Sequence, residues 1–228
     1  MTRVKICGNT EQQQVDLCVD AGADCLGFVV EYPVAVPWNL AREEARPLLC
    51  RVPPMIGRAV VTGGEPEHVL EIASTLLPHC VQLHTDNTLE ETALLAKELA
   101  RMGIDLIRAL RIDATSGIAR GEIADPVHAA LALQDARAAA ILLDACTVTM
   151  PAGTGTRVDW SIACRIRKAV HVPLILAGGL TPQNVARAIE QVRPYAVDVI
   201  SGVEASRRVK DADLVRQFVA NAHAAYAS

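Results

Sequence analysis

Short runs of β-branched and other apolar residues alternate along the whole chain with longer stretches whose apolar positions recur every three or four residues. The short runs predict strands over 4–7, 24–30, 55–61, 80–84, 104–112, 140–144, 173–177 and 197–201. The stretches between and after them predict helices over 11–21, 41–50, 66–76, 88–102, 124–137, 159–170, 181–192 and 211–226. Pro66 falls in a first helical turn, and Thr181 reads as an N-cap with Pro182 at the first helical position. Eight strand–helix units in this order require parallel strands joined by helical crossovers. Such a set can close on itself, so the expected architecture is α/β, a (β/α)8 TIM barrel with residues 1–228 as one catalytic domain. An open doubly wound sheet is the rival reading.

Composition narrows the class. Of 228 residues, 51% are hydrophobic, enough for a large core. The formal charge of −4 offers no electrostatic reason to bind nucleic acid or an anionic membrane surface. No run of about 18 apolar residues exists, so no membrane span is expected. The opening MTRVKICGNT lacks the long apolar stretch of a signal peptide. Seven scattered cysteines without a C-x-x-C pair argue against a disulfide framework or a zinc site and for a reducing, cytoplasmic setting. An anionic substrate would need a local trap, because the overall charge does not attract it, and monomer and homodimer are both compatible.

In a barrel of this kind chemistry belongs at the C-terminal ends of the strands. Gly178-Gly179 follows the seventh predicted strand and Ser201-Gly202 the eighth. Paired small residues there let backbone N–H groups approach an anion closely, which suits a phosphate. Gly153-Thr154-Gly155 follows the sixth strand and reads as a lid or a further phosphate clip, with Gly155 a candidate contact. Cys7 ends the first strand and Asp144 the sixth. Across a barrel mouth the two suit removal of a proton at one atom and delivery at another. The plain alternative for Cys7 is a small buried hydrophobe, the usual state of a free cysteine. Lys5, two residues before it and on the same face, would favour a thiolate. Lys5, Gln82, His84 and Arg108 are the further candidate substrate contacts from strand ends, while a packed histidine is the plain alternative for His84.

These pieces resemble the phosphoribosylanthranilate isomerase family of tryptophan biosynthesis. The resemblance is carried by Val4-Lys5-Ile6-Cys7-Gly8, Asp20-Ala21-Gly22-Ala23-Asp24, Gln82-Leu83-His84 and Leu142-Leu143-Asp144. It continues through Gly153-Thr154-Gly155 with Asp159-Trp160, Leu176-Ala177-Gly178-Gly179, and Asp198 with Ser201-Gly202-Val203-Glu204 and Lys210-Asp211. It implies an Amadori rearrangement of a small phosphorylated sugar, an aldose–ketose isomerisation without metal or cofactor. On that likeness Cys7 is the general base, Asp144 the general acid, and the glycine loops hold the phosphate.

Departures fall on the side of the aryl amine. Where the family has a Ser-Pro-Arg motif this chain reads Val36-Pro37-Trp38-Asn39, so Trp38 stands where an arginine is expected. Tryptophan can stack on an aryl ring but cannot replace a bidentate cation. Arg58 is read either as a substitute cation or as an outward surface residue. The substitution keeps open a paralogous isomerase of another sugar-phosphate conjugate, and a non-catalytic barrel is a more distant alternative.

Overall fold

The computed structural model describes residues 1–146 and 159–225. In chain order the elements are β1 (Arg3–Ile6), α1 (Gln12–Asp20), β2 (Cys25–Val30), β3 (Asn39–Leu40), α2 (Arg42–Arg51), β4 (Gly57–Thr62), α3 (Pro66–Leu76), β5 (Cys80–Leu83) and α4 (Leu89–Arg101). They continue with β6 (Asp105–Asp113), α5 (Pro126–Asp135), β7 (Ala140–Cys146), α6 (Trp160–Ala169), β8 (Leu174–Leu176), α7 (Val185–Val192), β9 (Ala196–Val199), β10 (Glu204–Ser206), β11 (Val209–Lys210) and α8 (Ala212–Ala224). Strand β1 pairs in parallel with both β9 and β2, which closes β1, β2 and β4 through β9 into an eight-stranded barrel. The closed barrel is the expected fold, and the open sheet is excluded.

The strands sort their side chains by alternation. Val4, Ile6, Leu26, Phe28, Val60, Ile141, Leu143, Leu176 and Val197 face outward into the main core, where Val15, Ile72, Ile166, Ile189 and Phe218 of the helices meet them. Full burial of large side chains such as Phe28 and Phe218 contributes about 1.5–3 kcal/mol each. The opposite parity fills the barrel: Ile107, Ala109, Ala140, Leu142, Ile175, Ala177 and Ala196 pack together. Farther along the same inward rows, the residues become polar or reactive: Cys7, Gln82, His84, Asp144 and Asp198.

Three predicted helix starts are N-caps. Thr88 accepts from the Glu91 N–H while the Glu91 carboxylate accepts from the Thr88 N–H, and the Asp159 and Asp211 carboxylates accept from the N–H groups of Ser161 and Leu214. The expected start at Thr181 is corrected: α7 begins at Val185. The Asn184 side chain folds back, accepting from the Thr181 N–H at 2.9 Å and donating to the Gly179 carbonyl at 2.9 Å, which makes residues 181–184 a turn. Two features were not anticipated. Strand β3 adds in parallel beside β2, and β10 and β11 form an antiparallel hairpin after the last barrel strand. Segments of two or three residues are too short to show a period. Among the described residues no helix is long and apolar enough to cross a membrane.

Candidate active site

A cavity of about 770 Å³ opens where the barrel strands end. Cys7, Gln82, His84, Asp144 and Asp198 line it together with Gly178-Gly179 and Ser201-Gly202, and Tyr32, Val36, Trp38 and Val61 form an apolar side.

Cys7 is buried beside an ion pair. Lys5 Nζ lies 2.9 Å from Asp198 Oδ1, with side-chain exposures of 3% and 6%. Burial pushes the Cys7 thiol above its ordinary range; the Lys5 charge pulls it partly back and Asp198 adds to the push. The pull of Lys5 toward a thiolate is therefore outweighed by desolvation, since the lysine's charge already faces a carboxylate. Gly27 makes the arrangement possible. A Cβ at that position would lie 2.5 Å from Cys7 Sγ and 2.9 Å from Lys5 Nζ.

Asp144 is oriented from two sides. Its Oδ1 accepts from the Ala145 N–H at 2.8 Å. His84 Nε2 stands 3.3 Å from Oδ2, within ion-pair range but misaligned for a hydrogen bond. The other ring nitrogen, Nδ1, lies 3.2 Å from Gln82 Nε2. Gly178, at φ +80°, leaves room for the carboxylate: a Cβ there would meet Ala145 N at 2.9 Å and Asp144 Oδ1 at 3.1 Å. The two glycine loops converge on the same wall, since a Cβ on Gly202 would run into the Leu180 carbonyl. Among the described residues, the N–H groups of Gly178, Gly179, Ser201 and Gly202 are not used in backbone hydrogen bonds. They stand free for an anion.

Trp38 lies in the apolar side with Cys7, Val29, Tyr32 and Val61. Its Nε1–H donates to Glu204 Oε1 at 2.8 Å, and Lys210 Nζ reaches the same oxygen at 2.9 Å. The indole is thus fastened to the hairpin that follows the last barrel strand.

The model of the family described as N-(5'phosphoribosyl)anthranilate (PRA) isomerase matches residues 4–221. The chain belongs to the phosphoribosylanthranilate isomerase family. The relative from Natronomonas pharaonis is 37% identical over 220 residues, covering 96% of this chain and 97% of that protein. The Haloferax volcanii relative is 38% identical over 226 residues, covering 99% and 95%. The crystal structure of phosphoribosyl anthranilate isomerase from Thermotoga maritima matches with a TM-score of 0.81 at 35% identity, covering 98% of this chain and 100% of that one. A phosphoribosyl anthranilate isomerase in complex with reduced 1-(o-carboxyphenylamino)-1-deoxyribulose 5-phosphate matches with a TM-score of 0.77 at 34% identity and the same coverage.

Within this family framework the structure brings together Cys7, Trp38, Gln82, His84, Asp144, Gly178, Gly179, Ser201 and Gly202 around one cavity, with Lys5 beneath Cys7. Gly155 lies outside the described residues. Two candidates are displaced. Arg58 is at the start of β4, on the parity of outward-facing Val60, and its Nη2 lies 3.1 Å from His79 Nε2 at the opposite end of the barrel. Arg108 also points outward. Its guanidinium donates to the Ala109 and Asn87 carbonyls at 2.8 Å, with Thr92 Oγ1 at 3.3 Å, and so ties β6 to the start of α4. Sequence reasoning missed Tyr32, whose hydroxyl donates to the His84 carbonyl at 2.8 Å, and Glu204, the anchor of Trp38. Tyr32 had a signal in its place just past β2; Glu204 stands in the motif Ser201-Gly202-Val203-Glu204, but its role as an anchor depends on a residue far away in sequence.

Proposed function

We propose that this chain converts N-(5'-phosphoribosyl)anthranilate into 1-(o-carboxyphenylamino)-1-deoxyribulose 5-phosphate, an aldose–ketose isomerisation of tryptophan biosynthesis. The carrying observation is that a thiol and a carboxyl share one cavity with two converging glycine loops. The cavity's glycine loops suit a phosphate and its apolar side suits an aryl ring. Relatives of this identity over nearly full length support the family reaction over a paralogue with another amine, and no observation favours a non-catalytic barrel.

In this reading the free N–H groups of Gly178, Gly179, Ser201 and Gly202 receive the phosphate, and the aryl group lies on the apolar side formed by Trp38, Tyr32 and Val61. Asp144, as the acid, protonates the ribose ring oxygen as the C1–O bond breaks. The nitrogen lone pair forms the C1=N bond, and the resulting iminium acidifies the C2 proton. Cys7, as thiolate, takes that proton, and the C2–H electrons move to give an enolamine. The enolamine gains a proton at C1 and loses one from the C2 hydroxyl, which leaves the ketose amine. His84 and Gln82 hold the Asp144 side of the cavity, and Lys5 offsets part of the burial cost of the thiolate. Residues 1–228 act as one domain, without metal or cofactor. The reading places the enzyme in a reducing cytoplasm, in keeping with six free cysteines among the described residues.

The test is turnover and binding in parallel. Cys7→Ser and Asp144→Asn are expected to lose turnover while still binding the reduced ketose-phosphate analogue. The unaltered gene is expected to restore growth to a tryptophan auxotroph lacking this isomerase. Full activity of both variants would overturn the acid–base assignment.

A further inference from the structure

We infer that Arg111 is the residue that recognises the carboxylate of the substrate's aryl group, by exchanging Asp86 for it. This inference rests on the proposed isomerisation. An o-carboxyphenyl group lying against Tyr32, Trp38 and Val61 brings a negative charge to a largely apolar surface. An unpaired carboxylate there is costly, so a cation must meet it.

Among the described residues few cations stand near the barrel mouth, and their partners separate them. Lys5 faces Asp198, which is 6% exposed, and Lys210 faces Glu204, which is 3% exposed. Withdrawing either lysine would leave a carboxylate stranded in the interior. Arg108 faces outward and is held by carbonyl oxygens, and Arg58 is at the other end of the barrel. Arg111 differs on each count. It continues the inward row of Ile107 and Ala109 at the C-terminal end of β6 and is in register with Asp144 on β7. Its charge acts on the Tyr32 phenol, and Tyr32 lines the cavity. Its side chain is 10% exposed, while its ion-pair partner Asp86, in the loop after β5, is 76% exposed. Asp86 can therefore return to water at little cost when a substrate carboxylate takes its place.

On the protein's side the exchange buries no further charge, since the guanidinium is already desolvated and only its counter-ion changes. It also accounts for the loss of the arginine expected at position 38. With the cation supplied from β6, the β2–β3 loop is released to carry Trp38 as an aryl platform fastened to Glu204.

The experiment compares phosphoribosylanthranilate with the same conjugate of aniline, which lacks the carboxylate. Arg111→Met is expected to lower kcat/KM for the carboxylated substrate by roughly 10- to 100-fold, mainly through KM, and to change the aniline conjugate less than about threefold. Asp86→Asn alters an exposed loop side chain and is expected to tighten binding of the carboxylated ketose-phosphate analogue without affecting its decarboxylated form. Equal losses on both substrates, or no change from either variant, would overturn the role of Arg111 while leaving the isomerase reading intact. Failure of the unaltered protein to isomerise either conjugate would overturn both.

Discussion

Replacing Lys5 by methionine removes the ammonium group 2.9 Å from Asp198 in a pair whose side chains are 3% and 6% exposed. The carboxylate left behind is only 6% exposed and keeps little access to solvent. Breaking a buried pair by deleting one partner costs about 3–5 kcal/mol. With a urea dependence of roughly 3 kcal/mol per M for a chain of this size, the unfolding midpoint should fall by about 1–1.7 M. Burial lowers the Lys5 pKa, but Asp198 outweighs it and holds the pKa above its ordinary value, so this contribution is fully present at neutral pH and is lost as alkali titrates the folded-state lysine. Removing both charges in Lys5→Met/Asp198→Leu should recover most of the loss, since two apolar side chains of similar volume suit a buried site. The assay is urea denaturation followed by far-UV circular dichroism at pH 7. A midpoint within about 0.3 M of the unaltered protein for Lys5→Met, or no recovery in the double variant, would refute the claim that this is a charged pair whose halves depend on each other.

Further outcomes follow from the same geometry. Burial holds the Cys7 thiol above its ordinary range, so kcat/KM should climb with pH as the thiolate forms and reach its plateau only above the usual thiol range; a plateau already complete below pH 7 would contradict this. Lys5 is the main group lowering that pKa, so a folded Lys5→Met should shift the rising limb to still higher pH. Gly178→Ala places a Cβ about 3 Å from Ala145 N and Asp144 Oδ1 at φ +80°; it should cost about 1–3 kcal/mol in stability and reduce kcat more than tenfold, read by thermal melts and steady-state rates. Trp38→Phe removes the donor to Glu204 but keeps an aryl surface, so it should lower Tm by about 2–6 °C with less than about threefold change in KM.

Much of this protein was legible one strand at a time. The strand–helix alternation, the Thr88, Asp159 and Asp211 caps, and the Gly178-Gly179 and Ser201-Gly202 pairs after β8 and β9 are local features, each contained in a few neighbouring residues. The positions of Cys7 and Asp144 at strand ends followed from the same periodicity, and barrel closure then brought them to one cavity. Arg108 and Arg111 show where local reading stops. The stretch Leu106-Ile107-Arg108-Ala109-Leu110-Arg111-Ile112 is buried on both faces, so it carries no alternation of polar and apolar residues to say which arginine faces the barrel axis. The pairing of β6 with β7 decides it, because a shift of one residue exchanges the two faces.

The chain's own order of residues determined its elements, their parallel crossovers and the strand ends at which chemistry would stand, since each depends on short-range periodicity and turn chemistry. Tertiary structure alone decided that Cys7 is buried beside Lys5 and Asp198, that Arg58 is turned away from the mouth, and that Trp38 is anchored by Glu204. Electrostatic environment and side-chain partnership depend on which distant segments meet, and that is set by the closure and register of the barrel rather than by neighbours along the chain.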